Sequence, residues 1–171
     1  MAVAPMHSGR PQRLGELLVQ RGLVSPETVE SALEVQADKG GRIGEILVAM
    51  KALEDDDVAQ ALASQLGLEY LATIDADAID PRLVASMSLA YTRQNRLVPL
   101  SFENQRLRLA VADPLNTFAI DDVRVLFEAD GQPVDMEMVV TSTKTVHDAV
   151  HRVFDRRAGA DQVVDDLAEE D

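Results

Sequence analysis

Arg13 and Gln36 recur 29 residues later as Arg42 and Gln65, and these four side chains are the chain's first candidates for ligand chemistry. A guanidinium can fork onto the oxygens of an anion, and a primary amide offers both a donor and an acceptor. Two copies of such a pair suggest two equivalent half-sites. A plainer reading stands beside this one: surface ion pairs for the arginines and ordinary helix ends for the glutamines.

Other chemistries find less support. His147 and His151 stand four apart on a predicted helix, the spacing of a two-histidine metal face, but no third ligand accompanies them and Asp148 is not the glutamate of the metalloprotease pattern. None of the nine glycines precedes a lysine, which excludes a phosphate-binding P-loop of the G-x-x-x-x-G-K-[ST] form in this chain. There is no cysteine, hence no disulfide, thiolate zinc site or cysteine nucleophile. No Ser/His/Asp arrangement or spaced carboxylate pair stands out. The expectation is a non-catalytic chain with no metal and no cofactor.

The four polar residues belong to a duplicated block. Arg13 to Gln36, RLGELLVQRGLVSPETVESALEVQ, aligns without gaps on Arg42 to Gln65, RIGEILVAMKALEDDDVAQALASQ, across the spacer Ala37 to Gly41. Nine of the 24 positions are identical, among them Gly15/Gly44, Leu18/Leu47, Val29/Val58, Ala32/Ala61 and Leu33/Leu62. Each copy reads as two short helices. Leu14, Leu17 and Leu18 form an apolar stripe, Gly22 supplies a left-handed stop, and Ser25 caps a second helix with Pro26 in its first turn. The second copy has Lys51-Ala52 where the first has Gly22-Leu23, so its first helix is expected to lose the glycine stop. It also places Asp55, Asp56 and Asp57 near the proposed anion site, where they either face the pocket or cap a helix. On periodicity alone, Leu14, Val29, Leu33, Ile43, Val58 and Leu62 fit a bundle core better than a ligand surface.

After Gly67 the pattern changes. Asp80-Pro81 starts one or two helical pieces reaching about Gln94. Arg96 to Phe102 and Arg106 to Ala112 alternate like half-buried strands around a turn at Glu103 to Gln105, with Pro99 at an edge or bulge. A helix from about Thr117 to Phe127, a strand from about Val134 to Val140 and a helix from Ser142 to about Arg156 follow. Gly159 to Asp171 holds six acids and no base, the composition of a tail or linker. The expected fold is α+β: a disordered N-terminus over 1–12, a subdomain of four short helices in two tandem repeats over 13–70, a small α/β subdomain with about three strands and flanking helices over 71–157, and an acidic linker or tail over 158–171.

Composition narrows the partners. With 16 Lys+Arg against 30 Asp+Glu in 171 residues the net charge is −14, unsuited to general DNA or RNA binding, which relies on clustered cations. No run approaches the roughly 18 apolar residues of a membrane span, and the N-terminus lacks a signal-peptide pattern. A cytoplasmic protein is expected, one in which a few local arginines could still hold a small anion.

The duplicated Arg-Leu/Ile-Gly…Gln block, with its five-residue spacer, resembles the MshEN domain, the N-terminal regulatory domain of type II secretion and type IV pilus assembly ATPases. Arg106 to Pro114 resembles a strand-to-loop segment of that domain, so the resemblance extends over about residues 13–157. It implies a cyclic di-GMP-binding domain that contacts the nucleotide through Arg13, Leu14, Val29, Leu33 and Gln36, through Arg42, Ile43, Val58, Leu62 and Gln65, and through Asp113. Arginines suit the ligand's two phosphates or the acceptor edge of guanine, and the aliphatic side chains suit the purine faces. Gly15 and Gly44 would let backbone approach closely, and Asp113 could accept from guanine N–H groups or simply cap the turn before Thr117. The resemblance places the ligand between the tandem motifs and the α/β subdomain, and implies a C-terminal motor ATPase domain in the same protein. It further implies a role in protein transport peripheral to the inner membrane. The rival reading is a docking module that attaches the ATPase to an inner-membrane platform protein without nucleotide.

Overall fold

Repeated sequence becomes repeated structure in the computed structural model, which describes residues 13–128 and 130–169. The expected disordered segment 1–12 lies outside the described residues. The chain divides into two units, Met1–Leu66 and Gly67–Asp171, so the break falls four residues before the expected one.

In the first unit, α1 (Leu14–Gln20) and α2 (Pro26–Lys39) form one repeat, and α3 (Ile43–Ala49) and α4 (Asp55–Leu66) the other. α1 starts from Arg13 in extended conformation, whose backbone N–H donates to Glu16 Oε2 at 3.4 Å. It ends in two bonds, Gly22 N–H to Val19 O and Leu23 N–H to Leu18 O, closed by Gly22 at φ +72°. Ser25 Oγ accepts from Thr28 N–H to cap α2. Leu18 and Leu47, equivalent in the two repeats, are fully buried, as are Ala32 and Ala61. With Leu53 and Val58 they form this unit's core. Each leucine sealed from water contributes about 1.5–3 kcal/mol.

The second unit is a four-stranded mixed sheet in the order β1-β4-β3-β2. β2 (Leu97–Glu103) and β3 (Arg106–Val111) form the expected hairpin, turned by Asn104 and Gln105 at φ +52° and +60°. β2 is an edge strand, and its register shifts between Pro99 and Ser101, where proline removes a ladder donor. β4 (Asp135–Val140) pairs parallel to β3, connected through α6 (Thr117–Phe127). The extra strand, β1 (Glu69–Tyr70), is too short for its sequence to alternate visibly. Between β1 and β2 lie 3-10 turns at Ala76–Ala78 and Pro81–Val84, then α5 (Leu89–Asn95).

Strand alternation sorts the sheet's two faces. Leu107, Leu109 and Val111 share a core with Ala119, Ile120 and Val123 of α6. Val98, Ala110 and Val139 share another with Val146, Val150 and Val153 of α7 (Thr143–Glu169). Arg156 Nη1 donates to Ala76 O and Ile79 O at 2.9 Å, tying α7 to the first 3-10 turn. α7 does not end near Arg156. Gly159 continues the helix rather than adopting a left-handed stop, and no proline follows, so the acidic segment remains helical to Glu169 with exposed side chains.

Candidate functional site

Arg13 and Arg42 occupy equivalent places, each extended and exposed immediately before the first helix of its repeat. The glycine two residues later is buried in both copies. A Cβ on Gly15 would stand 3.0 Å from Val29 Cγ1, and one on Gly44 would stand 2.7 Å from Val58 Cγ1. The space beside each glycine is thus filled by the valine of its own repeat, and what the missing side chain permits is close approach of two helices.

The six apolar candidates divide. Leu14, Ile43, Val58 and Leu62 join the core cluster of the first unit. Val29 is half-buried, and Leu33 is 48% exposed. The second repeat therefore draws its apolar positions inward while the first leaves Leu33 open to solvent. Gln36, half-buried near the end of α2, donates from Nε2 to Gly41 O at 3.0 Å. Since only the amide nitrogen can bond a carbonyl, this contact fixes the orientation of the group and directs Oε1 away as an acceptor. Gln65 is half-buried at the matching place on α4. The Gly41 carbonyl was not foreseeable as a partner, because nothing in a Gly-Gly spacer marks its backbone oxygen.

The altered stop of the second copy keeps its geometry. Lys51 adopts φ +58°, and the bonds Lys51 N–H to Val48 O and Ala52 N–H to Leu47 O repeat those of Gly22 and Leu23. The left-handed turn persists without a glycine, held by both bonds and the buried Leu47. Asp57 accepts from Glu54 N–H at 3.2 Å, so the last of the three aspartates caps α4.

Asp113 lies in the second unit and is buried. Its Oδ1 accepts from Leu115 N–H at 3.1 Å, and Oδ2 stands 3.7 Å from Arg96 Nη2. It holds the turn that leads into α6, whose own cap is Asn116. His147 Nε2 lies 3.2 Å from Arg93 O, and among the described residues no group of three His, Asp or Glu is placed to hold a metal ion. Nor is any described helix long and apolar enough to cross a membrane.

Comparison with known proteins agrees with this architecture. The chain is 29% identical to the type IV pilus assembly ATPase PilB of Myxococcus xanthus over 92% of its own length and 27% of that protein's. It is 26% identical to the type II secretion system protein E of Xanthomonas campestris over 93% of its length and 28% of that protein's. It thus spans about a quarter of these relatives. Among solved structures, MshE with cyclic di-GMP superposes with a TM-score of 0.66 at 28% identity, covering 83% of this chain and 99% of that one. The N-terminal domain of XpsE, 24% identical, shares the fold with a TM-score of 0.61, covering 82% of this chain and 92% of that one. A profile of the MshEN domain matches residues 66–160, the sheet and its helices and not the repeats. With more than half of its length matched by that profile, the chain belongs to the MshEN domain family.

Proposed function

We propose that this chain is a non-catalytic regulatory domain that binds cyclic di-GMP through its tandem repeats and controls a secretion or pilus assembly ATPase of which it is a part. The observation that carries the reading is that the duplication holds at its polar and glycine positions: Arg13 and Arg42 before matching helices, the same glycine against valine packing behind them, Gln36 and Gln65 at matching places on α2 and α4. A ligand built from two identical nucleotides suits a receptor built from two copies of one motif. The likeness to MshE, solved with cyclic di-GMP, supports the same ligand.

In this reading Arg13 and Arg42 meet phosphate or guanine acceptors, and Gln36 Oε1 accepts from a guanine N–H. Leu14 and Leu33, with Ile43 and Leu62, lie against the purine faces. Gly15, Val29, Gly44 and Val58 set the spacing of the helices that carry these groups. A ligand controls a motor only through its differential affinity for two arrangements of the protein, so regulation requires that the bound form favour one of them.

The test is isothermal titration calorimetry of the chain with cyclic di-GMP, using GMP and ATP as controls. Saturable binding specific to cyclic di-GMP, weakened about tenfold or more by Arg13→Ala and by Arg42→Ala, supports two half-sites. Wild-type affinity in both variants, or no binding at all, overturns the reading.

A further inference from the structure

Three of the chain's four phenylalanines are packed inside the second unit. Phe102 and Phe127 meet edge to face with ring centres 5.0 Å apart, and Phe154 lies against both cores. The fourth, Phe118, is 86% exposed, more than any other large apolar side chain among the described residues. It stands in the first turn of α6, whose inner face is already satisfied by Ala119, Ile120 and Val123. One heptad further along the same outer line lies Val125, 66% exposed, with Leu115 at 53% beside the helix start and Leu126 at 39% beside its end.

Such a line has no role in the fold, and contiguous exposed apolar side chains rimmed by polar ones mark interaction surfaces. Asp121 and Asp122 are exposed in the turn between Phe118 and Val125. Asp121 is matched by Arg124 at 2.9 Å, which leaves the face acidic on balance in a chain of net charge −14. A second copy of the chain would bring like charges together along this line. A cationic partner would gain both from apolar burial and from the aspartates. The line is two helical turns long, the footprint of a short amphipathic helix.

We propose that the outer face of α6, centred on Phe118 and Val125, is a docking surface for a basic amphipathic helix of another protein. Phe118 is the anchor that fills an apolar groove between the partner's side chains, and Asp121 and Asp122 select a partner whose flanking residues are Lys or Arg. None of its residues belongs to the repeats; Leu115, whose N–H bonds Asp113, is the one that adjoins a candidate ligand contact.

The test uses the whole chain, isotope-labelled for NMR, and a synthetic helical peptide of about fourteen residues with Leu at i, i+3, i+4 and i+7 and Lys elsewhere. Controls are the same peptide with Glu for Lys and a scrambled Leu/Lys peptide. The expected result is saturable movement of the amides of residues 115–126 with the basic amphipathic peptide, and at least about tenfold weaker binding in the double variant Phe118→Ala, Val125→Ala. Both side chains are exposed, so an unchanged spectrum away from α6 establishes that the variant is folded. Equal binding by the variant, equal binding of either control peptide, or no binding of the basic peptide overturns the proposal. Concentration-dependent movement of the same amides without peptide also overturns it, by assigning the face to a second copy.

Discussion

Gly44 faces Val58 so closely that a Cβ at Gly44 would lie 2.7 Å from the valine's Cγ1, closer than real side chains approach. The same pair one repeat earlier, Gly15 and Val29, leaves 3.0 Å. Replacing a helical glycine by alanine gains roughly 0.5–1 kcal/mol in backbone terms, whereas overpacking costs about 1–3 kcal/mol. Val58 is β-branched and buried in the unit's core, so it yields little. Gly44→Ala is therefore expected to destabilise the first unit by about 1–2 kcal/mol, and Gly15→Ala to stay within about 1 kcal/mol of neutral. Native-state hydrogen exchange of α1 and α2 amides for Gly15→Ala, and of α3 and α4 amides for Gly44→Ala, measures the two effects, and an equal effect in the two repeats would refute the asymmetry.

Lys51 performs a glycine's task with a side chain attached. A non-glycine residue in the left-handed region costs about 1–2 kcal/mol, part of which glycine returns through its larger unfolded-state entropy. Lys51→Gly should stabilise the first unit by about 0.5–1 kcal/mol, and Gly22→Lys should destabilise it by a similar amount. A Lys51→Gly variant that unfolds at lower urea than the parent would contradict this account of the turn.

These two positions mark where the sequence was and was not legible. The repeat could be read because its identical residues, Leu18/Leu47 and Ala32/Ala61, are the ones the core seals from water. The turn at Lys51 could not, since a left-handed lysine is held by hydrogen bonds and packing that propensity does not register. β1 escaped notice because two residues have no periodicity, and α7 outran its expected end because a glycine does not stop a helix unless its φ turns positive. At the site, the polar candidates were visible as repeated Arg and Gln. The inward packing of Val58 and Leu62, against the open Leu33, depends on helix placement within the unit and has no counterpart in spacing.

Asp113 shows how one residue can serve two readings. Asn retains an acceptor for Leu115 N–H but gives up the charge that Arg96 faces at 3.7 Å, so Asp113→Asn should cost the second unit less than about 1 kcal/mol, whereas Asp113→Ala loses both and should cost about 1–2 kcal/mol. Thermal unfolding followed at the amides of α6 distinguishes the two. Because Asn keeps the turn's bond to Leu115, a loss of cyclic di-GMP affinity in an Asp113→Asn protein whose second unit stays folded reports a ligand contact and not a folding defect.

Asp80 titrates unusually low. Hydrogen bonds from the Arg82 guanidinium and then from its backbone N–H hold the carboxyl at about 2, against an ordinary 3.8. A depressed folded-state pKa contributes stability that is fully present above the unfolded value near 3.8 and is lost as the pH falls toward 2. Arg82→Ala removes the guanidinium and keeps the backbone bond, so the Asp80 carboxyl should move only part of the way back. Carbon-detected NMR titration reads it directly, and an unchanged midpoint in Arg82→Ala would show that the backbone bond alone sets it.

Leu33 and Leu62 are identical in sequence and unequal in surroundings, which allows binding to be separated from folding. Leu33 is 48% exposed, so trimming it to alanine removes little buried surface and should cost less than about 1 kcal/mol of stability. Leu62 packs against the core of the first unit, and its loss should cost about 1–2 kcal/mol, below the range for fully buried leucines. If purine faces lie on these leucines, Leu33→Ala weakens cyclic di-GMP several-fold in a protein that unfolds almost as the parent does. Calorimetric titration beside urea unfolding makes the comparison. A Leu33→Ala variant with parental affinity would show that the open leucine of the first repeat lies outside the ligand's footprint, and would move the apolar part of the site to the residues around Ile43.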